Sequence, residues 1–534
     1  MIRAALAPLL AAGAGLALLA SHPPLGWWPL SFLAPALLVA ALWVDAVARR
    51  EVGRGPRAFR LGALAGAAAF GPMLSWLILP AGVIGWVLLS LVQVLWLGLL
   101  AVLLVPALER PWLPVAAAAV WTGIDAWRAI WPLNGFEWGA IAYAHVDGSW
   151  LMPLARLVGG RGITFLVVLI GVAAALLVRT TWSGVRSRGD ESVEVALGRG
   201  RWPAVWLVGG LLVSVLAVVD PPPEDGQLDV LAVQGNDVRH WEEGVEDPNP
   251  PLRITTALRD ETLAAIDRDG VPDVTVWPES SIDRDPFTER GAELGRLADE
   301  AAAASGTLLA GATLDGPDPS RNRYVAAVQL EDGLEETDRY VKRRLVPFGE
   351  FIPARPLLEW FPPLEQIPRD ALPGEGPQPL HVGDDDVPVG VLICFETKFQ
   401  DIARDNVVGG DEPTQLLLTM TNDASFGDSA EPYQHLAQSQ LRAVETGRHV
   451  VHAALTGSSA FVAPDGGVTQ ATELFTVDSI RAQVPLVREL TPYLVIGDVV
   501  GWLTRAAAVL ALGLVVWQAW LRRRSEDLTL ADDR

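Results

Sequence analysis

The sequence predicts a multi-span α-helical membrane domain joined to an α/β domain, and three observations support this fold class. Residues 221–497 contain 48 acidic and 21 basic side chains, whereas the rest of the 534-residue chain contains 15 and 20. Of the 21 tryptophans, 15 precede Pro221. The acidic block is flanked by apolar stretches of about 20 residues, the length with which a helix crosses a bilayer core. An acidic, polar block is therefore bracketed by apolar, Trp-rich flanks.

Eight apolar segments in the flanks are predicted to span a membrane as helices. They lie at 4–20, 28–47, 59–79, 83–105, 112–130, 162–178, 203–219 and 499–521. This predicts a seven-helix membrane domain at 1–220, the α/β domain at 221–497, an eighth helix at 498–521 and a cytoplasmic tail at 522–534.

Two features of these flanks allow a second interpretation. Residues 1–20 resemble a cleaved signal peptide, but a further apolar run begins almost at once, at Trp27, which favours a span. Asp125 and Arg128 lie inside the fifth segment. They are interpreted as a mutually satisfied pair, although charges within a membrane are also candidates for a functional site.

The placement of arginines predicts the orientation. Clusters lie between spans two and three, between spans six and seven, and after span eight. They are Arg49, Arg50, Arg54, Arg57 and Arg60; Arg179, Arg186, Arg188, Arg199 and Arg201; and Arg522, Arg523 and Arg524. Eight spans place all three clusters on one side, which the positive-inside rule makes cytoplasmic. The acidic block is then extracytoplasmic.

The acidic block alternates short β-rich runs with helical stretches, which predicts a layered α/β domain with helices outside the sheet. Strands are predicted at 228–234, 273–277, 307–312, 324–330, 339–346, 387–395, 415–421, 450–454 and 459–462. Helices are predicted at 252–267, 288–304 and 433–447. A Pro-rich stretch at 347–378 shows no periodicity.

Composition excludes several classes of protein. A single cysteine cannot form an internal disulfide, and no Cys/His cluster has the spacing of a zinc site. Neither a metal nor a cofactor is predicted. The acidic balance argues against nucleic acid as a partner, because binding to it requires a basic surface.

The sole cysteine, Cys394, ends the apolar run V-G-V-L-I-C-F-E. A buried free cysteine is most often an inert core residue. Its place at the end of a strand, before a predicted helix, favours a nucleophile, because helix N-termini stabilise thiolates and α/β folds bind ligands at strand ends. Glu279, in V-W-P-E, is the favoured base. Three histidines are weaker candidates and are interpreted as structural: His435, His449 and His452.

Lysine usage gives a third clue, because only two of the 41 basic residues are lysines. Lys342 ends a predicted strand, and its ammonium suits oxyanion stabilisation or proton relay. Lys398 is predicted to lie on a solvated helix surface. Because Glu279, Lys342 and Cys394 each end a predicted strand, they can converge on one edge of the fold.

Four motifs of the acidic block resemble the nitrilase superfamily. They are V-W-P-E (276–279), Y-V-K-R-R-L-V-P-F-G-E-F-I-P (340–353), L-I-C-F-E (392–396) and T-N-D-A-S-F-G (421–427). Two motifs of the flanks and one just before the last span extend the resemblance to one branch of it, the apolipoprotein N-acyltransferase family: L-G-W-W-P-L-S-F-L-A-P-A-L-L (25–38), N-G-F-E-W (134–138) and L-T-P-Y (490–493).

The resemblance implies an α-β-β-α sandwich on an eight-span base in the inner membrane, facing the periplasmic or outer side. It implies ping-pong acyl transfer from a phospholipid donor to the amine of a diacylglyceryl apolipoprotein, through a thioester on Cys394. Glu279 would be the general base and Lys342 the oxyanion stabiliser. Three residues would support the site: Glu350, Glu396 and Trp241. We expect a monomer.

The sequence departs from the common family pattern at four positions. Phe395 replaces a tyrosine, Ser425 a tryptophan, Glu137 a proline and Leu455 an asparagine. None of them belongs to the predicted triad, so they bear on acyl-chain and headgroup preference.

The Pro-rich stretch is interpreted as a lid that dips into the membrane interface, with a packed surface loop as the alternative. Its apolar residues are Leu357, Leu358, Trp360 and Phe361.

Three alternative functions remain at this stage. One is a membrane-anchored amidase or hydrolase that transfers the acyl group to water. Another is a catalytically inactive scaffold for a membrane glycosyltransferase. A transporter is the least favoured, because ordered charges along a pathway are not seen.

Overall fold

The computed structural model describes residues 2–48, 54–186, 193–216, 219–237, 249–358 and 367–532. Within them the chain divides into two compact units. The helical unit comprises Met1–Trp131, Gly135–Val218 and Asp498–Arg534. The sheet unit comprises Pro132–Asn134 and Val219–Gly497.

A helix lies at each of the eight apolar segments. These helices are α1 (Ile2–Ser21), α2 (Leu30–Ala48), α3 (Arg54–Met73), α4 (Ile78–Leu104), α5 (Leu113–Arg128), α6 (Ala155–Arg186), α7 (Val193–Leu216) and, as the last helix of the chain, α14 (Val499–Asp532). Three described stretches are long and apolar enough to cross a membrane: Ser75–Ala107, Met152–Thr181 and Val499–Ser525. Three more are apolar but shorter: Ala5–Ser21, Leu30–Ala46 and Arg201–Leu216. The count of eight spans stays a prediction.

The helical unit turns large apolar side chains outward. Leu79 on α4 and Leu510 on α14 are 60% and 70% exposed, and many neighbours on the same helices are similar. Exposed apolar surface of this extent is unfavourable in water and favourable against lipid. The helices therefore form a unit built for a membrane.

Buried charges inside this unit are paired. Arg128 donates to Asp125 Oδ1 at 2.7 Å, to Gln93 Oε1 at 2.8 Å and to the Trp138 carbonyl at 2.6 Å. The mutual pairing predicted for Asp125 and Arg128 is confirmed.

A second buried ion cluster explains one departure from the family pattern. Arg161 on α6 donates to Glu137 Oε1 at 3.2 Å and to Glu137 Oε2 at 2.9 Å, and also to Asp498. Glu137 and Arg161 are both buried. Glu137 therefore joins α6 to the start of α14 through a shared arginine.

The sheet unit contains thirteen strands among the described residues. The first sheet is built from β1 (Glu224–Gln234), β2 (Val274–Ile282), β3 (Leu308–Asp315), β4 (Asn322–Glu331), β5 (Glu335–Val341), β6 (Asp370–Ala371) and β13 (Asp478–Val487). The second is built from β7 (Leu380–Val382), β8 (Val387–Ile393), β9 (Leu416–Thr421), β10 (Val450–Ala454), β11 (Ala460–Val462) and β12 (Val468–Ala471). The helices of this unit are α8 (Pro250–Asp269), α9 (Ala292–Ser305), α10 (Arg355–Leu358), α11 (Gln400–Val408), α12 (Glu431–Thr446) and α13 (Pro492–Ile496).

Strand order places parallel strands at the centre of each sheet. The first sheet runs β13-β1-β2-β3-β4-β5, with β6 paired to β4, and the second runs β12-β11-β10-β9-β8-β7. Strands β1, β2 and β3 are parallel, as are β8, β9 and β10. Because β4 is antiparallel to both neighbours, β5 runs in the direction of β2. The carboxyl ends of β2 and β5 therefore lie at one edge.

The two faces of each sheet are buried against different layers, which confirms the α-β-β-α sandwich. Val230 and Val276 of the first sheet share a core with Val389 and Leu418 of the second. The alternate residue Leu231 packs with the outer helices α8 and α9. This period-2 change of face is what a strand buried on both sides requires.

Two strand predictions need correction. The run predicted at 339–346 ends as a strand at Val341, and Lys342 follows it. Strand β13 was not predicted, although it pairs with the whole length of β1. Its sequence D-S-I-R-A-Q-V-P-L-V mixes charged, polar and proline residues, and most of its first half is partly exposed. An edge strand of this kind has little hydrophobic signal.

Candidate active site

Glu279 lies within β2 rather than just beyond it. The ladder between β2 and β3 is interrupted by a register shift between Trp277 and Ile282. Ser280, which follows Glu279, has a φ of 62°. The neighbouring strand comes very close, because a Cβ on Gly311 would lie 2.6 Å from the Glu279 Cα. This bulge turns a carboxylate from a buried strand toward the edge of the sheet.

Lys342 follows β5 and is completely buried. Its Nζ donates to Glu279 Oε1 at 2.9 Å and to Glu350 Oε1 at 2.5 Å. The other oxygen of Glu350 accepts from the Val346 amide at 2.7 Å. A buried ammonium between two carboxylates is thus held in one position.

Cys394 follows β8 directly and is partly buried. Its φ is 49°, in the left-handed region that non-glycine residues rarely adopt. The predicted helix after it is a five-residue 3-10 turn, Cys394–Lys398, ahead of α11. Cys394 is therefore presented on a sharp turn at the carboxyl end of a buried strand.

The structure brings the three predicted residues together. The Cys394 thiol lies in the electrostatic field of the Glu279 carboxylate and the Lys342 ammonium. Burial first, and then Glu279, raise the pKa of the Cys394 thiol well above its usual range, while Lys342 opposes them. Cys394 is thus a protonated thiol at neutral pH and needs a base.

Lys342 keeps its charge. Burial alone would lower the pKa of Lys342, but the carboxylates of Glu279 and Glu350 outweigh it and raise the pKa above its usual value. An ammonium that does not release its proton fits electrostatic stabilisation better than proton relay.

Glu396 connects the cysteine turn to the loop after Lys342. Its carboxylate, which is completely buried, accepts from the Ile393 amide at 2.9 Å and from the Arg343 and Arg344 amides at 2.7 and 3.0 Å. It also accepts from the Tyr340 hydroxyl. Burial raises the pKa of Glu396, although these amides oppose the shift. Glu396 thereby fixes the turn that carries Cys394 against the loop that follows Lys342.

Two residues of the site, Thr421 and Asp423, were not identified from the sequence, and a third, His435, was a weaker candidate interpreted as structural. Thr421 is the last residue of β9, Asp423 follows that strand, and His435 lies on α12. Asp423 Oδ1 accepts from the Thr421 hydroxyl at 2.9 Å and contacts His435 Nδ1 at 3.1 Å. His435 Nε2 donates to the Cys394 carbonyl at 3.1 Å. The position of Thr421 and Asp423 at the end of an apolar strand is the same signal that identified Cys394.

The other two histidines are structural, as predicted. His449 contacts Glu224 Oε1 at 2.9 Å. His452 contacts Ser439, and burial lowers its pKa to about 3.

The described residues contain one group with the donor geometry of a metal site. Asp423, Glu431 and His435 are all buried, and their ligand atoms lie within 4.8 Å of one another. Burial, and then Asp423, raise the pKa of Glu431 well above its usual range.

Lys398 was predicted to be solvated, and this is wrong. It is completely buried, with its Nζ 3.2 Å from the ring centroid of Phe395 and 4.6 Å from that of Phe399. A desolvated ammonium over an aromatic face is a cation–π contact. Phe395, which replaces the tyrosine of the common family pattern next to Cys394, therefore provides an aromatic ring that contacts the Lys398 ammonium.

The other two departures in the sheet unit lie in the site's surroundings. Leu455 is completely buried and donates its amide to the Thr421 carbonyl at 3.0 Å. Ser425 lies in the 3-10 turn Ala424–Phe426 and is partly buried.

The predicted lid is described in part. Leu357 is 74% exposed and Leu358 is partly buried, both on α10. Trp360 and Phe361, as well as the supporting residue Trp241, lie outside the described residues.

Comparison with known proteins follows this division of the chain. Residues 14–173 match the family described as the apolipoprotein N-acyltransferase N-terminal domain, and residues 249–489 match the carbon-nitrogen hydrolase family. Among solved structures, a nitrilase-superfamily amidase from Nesterenkonia AN1 is 19% identical, over 52% of this chain and 97% of that one, with a TM-score of 0.37.

Similarity to whole proteins extends across both units. The apolipoprotein N-acyltransferase of Mycolicibacterium smegmatis is 32% identical, over 97% of this chain and 88% of that protein. Those of Pseudomonas aeruginosa and Azotobacter vinelandii are 30% identical, over 91% and 97% of this chain and 91% and 95% of those proteins. With both family domains present and a relative of this identity along nearly its full length, the chain belongs to the apolipoprotein N-acyltransferase family.

Proposed function

We propose that this acyltransferase moves a fatty acyl chain from a phospholipid to the α-amine of the S-diacylglyceryl-cysteine that begins an apolipoprotein. The observation that carries this proposal is the convergence of a protonated thiol, a carboxylate and a permanently charged ammonium at one edge of the sheets. Family membership supports the lipoprotein acceptor and the membrane setting.

In the first half-reaction, Glu279 removes the Cys394 proton as the sulfur attacks an ester carbonyl of the phospholipid. A carbon–sulfur bond forms, and the carbonyl oxygen becomes an oxyanion stabilised by Lys342. Collapse of this intermediate breaks the ester carbon–oxygen bond. Glu279 returns its proton to the departing oxygen, so that lysophospholipid leaves and Cys394 carries a thioester.

In the second half-reaction, the neutral amine of the acceptor attacks the thioester carbonyl. Lys342 again faces the oxyanion, and Glu279 takes a proton from the attacking nitrogen. When the carbon–sulfur bond breaks, that proton passes to the Cys394 sulfur. The products are an amide and the original thiol, and the site needs neither a metal nor a cofactor for these steps.

The test is a two-stage assay with the purified full-length protein. It is first incubated with radiolabelled phospholipid, and the acyl group on Cys394 is identified by mass spectrometry; a diacylglyceryl lipopeptide is then added. We expect the label to move from Cys394 to the peptide amine. Full transfer by a Cys394→Ala variant would contradict the mechanism, and release of labelled fatty acid to water would favour a hydrolase. A wild-type protein that never acquires the label would favour a scaffold.

We further propose that the stretch around α10 is a lid that meets the membrane interface and guides acyl chains. The exposure of Leu357 beside a partly buried Leu358 supports an apolar contact with lipid. We propose the same role in the lid for the neighbouring residues Trp360 and Phe361.

The lid predicts a substrate-dependent defect. Leu357→Ser should lower activity toward bilayer phospholipid several times more than activity toward short, soluble esters, because only the bilayer substrate requires the interfacial contact. Val271→Ser is the matched control, since Val271 is also an exposed aliphatic residue but precedes β2 at its amino end. Equal losses on both substrates would exclude the lid.

We propose a location in the inner, or cytoplasmic, membrane with the sheet unit on its extracytoplasmic side. The arginine clusters support it through the positive-inside rule. We also propose that the protein acts as a monomer, because one chain supplies Glu279, Lys342 and Cys394. Active enzyme with the mass of a dimer in detergent, measured by mass photometry, would contradict the monomer.

A further inference from the structure

The backbone of Cys394 is in a conformation that requires support. With a φ of 49°, Cys394 is a non-glycine residue in the left-handed region, a strained conformation that persists where surrounding contacts fix it. On the amino side, Glu396 accepts the Ile393 amide at 2.9 Å. On the carboxyl side, the carbonyl of Cys394 accepts from His435 Nε2 at 3.1 Å.

The contacts of His435 determine which of its ring nitrogens carry protons. A carbonyl oxygen only accepts, so Nε2 carries a proton. Nδ1 faces Asp423 Oδ1 at 3.1 Å. Burial would raise the pKa of Asp423, but His435 and the Thr421 hydroxyl outweigh it and hold the pKa below its usual value. Asp423 is therefore a carboxylate in contact with Nδ1, while Nε2 donates to the Cys394 carbonyl.

Asp423 reaches Cys394 by two routes. Through His435 it holds the Cys394 carbonyl, and, in addition to burial and Glu279, its own negative charge raises the pKa of the Cys394 thiol. His435 and Asp423 are both buried, at 1% exposure each. The Asp423 carboxylate thus acts on both the main-chain carbonyl and the side chain of Cys394.

We propose that His435 is a positioning residue, which holds the Cys394 carbonyl through Nε2 so that the strained turn keeps the thiol facing Thr421, Glu279 and Lys342. The inference rests on the proposed function, because it assigns His435 a role in the acylation of Cys394. His435 does not touch the reacting atoms and is not a base. Without its contact, the turn relaxes and the sulfur leaves the attack position.

Two amide substitutions separate the two ends of the ring. In His435→Gln, the amide nitrogen reaches the place of Nε2 and retains the contact with the Cys394 carbonyl. In His435→Asn, the amide reaches only the place of Nδ1, so that Asp423 keeps a partner and Cys394 loses one. His452→Asn is the control, since this neighbouring buried histidine packs edge-to-face against His435, with ring centroids 5.5 Å apart, and bonds to Ser439 instead.

We expect His435→Asn to lower kcat for acylation about 100-fold, the size of effect that a misplacement of about 1 Å produces, with KM for phospholipid unchanged. His435→Gln should restore kcat to within about tenfold of wild type, and His452→Asn should leave it unchanged. The rate of Cys394 alkylation by iodoacetamide should follow the same order. Melting temperatures measured in detergent should be similar for the two His435 variants.

Four results would overturn the proposal. The first is an equal loss of kcat in His435→Asn and His435→Gln, and the second is a loss of kcat that follows the melting temperature. The third is a rise in KM with kcat unchanged. The fourth is a stoichiometric divalent cation in the wild-type protein whose chelation abolishes activity. The last result would assign Asp423, Glu431 and His435 to a metal instead. Alkylation of Cys394 needs no lipid. A failure of the proposed function would appear as a wild-type protein that is alkylated by iodoacetamide but never acylated by phospholipid, and it is therefore distinguishable from a failure of the role proposed for His435.

Discussion

The Cys394 thiol lies between opposite charges whose effects on its pKa differ in sign. Glu279 raises the pKa of the thiol, and Lys342 lowers it. Both are nonetheless needed for acyl transfer in the proposed mechanism, since one removes the proton and the other stabilises the oxyanion. Thiol acidity and catalytic activity are therefore separable at this site.

The first prediction uses this separation. Glu279→Gln should lower the pKa of Cys394 and move the pH profile of iodoacetamide alkylation to lower pH, because more thiolate is present at each pH. Lys342→Gln should move the profile to higher pH. Acyl transfer should fall in both, by about 10²–10⁴-fold for loss of the base.

Alkylation followed by mass spectrometry across a pH series measures these shifts. Asp465→Asn, a change at an exposed carboxylate, is the control and should leave the profile in place. Profiles that move in the same direction in Glu279→Gln and Lys342→Gln would refute the assignment of opposite effects.

Residue types alone suggested the triad, but not the state of each group. Lys342 was a candidate for either oxyanion stabilisation or proton relay from its sequence context. The carboxylates of Glu279 and Glu350 decide between these roles, because against the effect of burial their contacts with Nζ raise the pKa of Lys342 and keep it charged. Sequence spacing carries no information on such contacts, because Glu279 is 63 residues away.

At the level of elements, the position of Glu279 depends on how closely β3 approaches β2. A Cβ on Gly311 would lie 2.3 Å from the Pro278 carbonyl and 2.6 Å from the Glu279 Cα. No side chain fits there without moving one backbone relative to the other. Glycine at this position lets the bulge form beside its neighbour.

The second prediction follows from this approach. Gly311→Ala should displace Glu279 and lower kcat by about 10- to 100-fold, because a base displaced by about 1 Å loses its alignment with the thiol. Acyl-transfer kinetics measure the effect. Gly376→Ala is the control, since a Cβ there meets nothing within 4 Å. Unchanged kcat in Gly311→Ala would show that the bulge adapts.

The third prediction concerns the ion cluster that joins α6 to the start of α14. Glu137→Gln leaves Arg161 buried with one of its carboxylates lost, and breaking a buried pair costs about 3–5 kcal/mol. The thermal unfolding midpoint in detergent should fall clearly.

The chain contains a matched control for this change. Glu109 and Arg179 form a pair at 3.0 Å whose side chains are 55% and 32% exposed. Glu109→Gln should change stability by about 0–1 kcal/mol, as for other exposed pairs. A similar midpoint for both variants would mean that Glu137 contributes no more than an exposed carboxylate.

At the scale of the whole molecule, the distribution of charge predicts orientation. The arginine clusters lie between or after the predicted spans, whereas the acids are concentrated in residues 221–497. Lys and Arg close to helix ends determine which side of a membrane remains cytoplasmic. An extracytoplasmic sheet unit follows.

The fourth prediction tests this orientation with single cysteines in a Cys394→Ser background. An impermeant maleimide should label Asp318→Cys in intact spheroplasts, because Asp318 lies on an exposed turn of the sheet unit. Arg523→Cys, at the exposed end of α14, should be labelled only after permeabilisation. The reverse pattern would overturn the orientation.

The sequence by itself determined what local patterns encode. Apolar runs located the helices of the membrane unit, and short β-rich runs located most strands of the two sheet centres. The ends of predicted strands suggested Glu279, Lys342 and Cys394 as candidate site residues, because groups at the ends of parallel strands meet at one edge. The motifs around them identified the family.

The tertiary structure alone decided what depends on contacts between distant segments. It buried Lys398 against Phe395, added β13 to the edge of β1, and brought His435 from α12 to the Cys394 carbonyl. None of these has a local signal, since an amphipathic helix does not reveal which strand end its histidine will meet. The nucleophile came from the sequence, and the contacts that hold it came from packing.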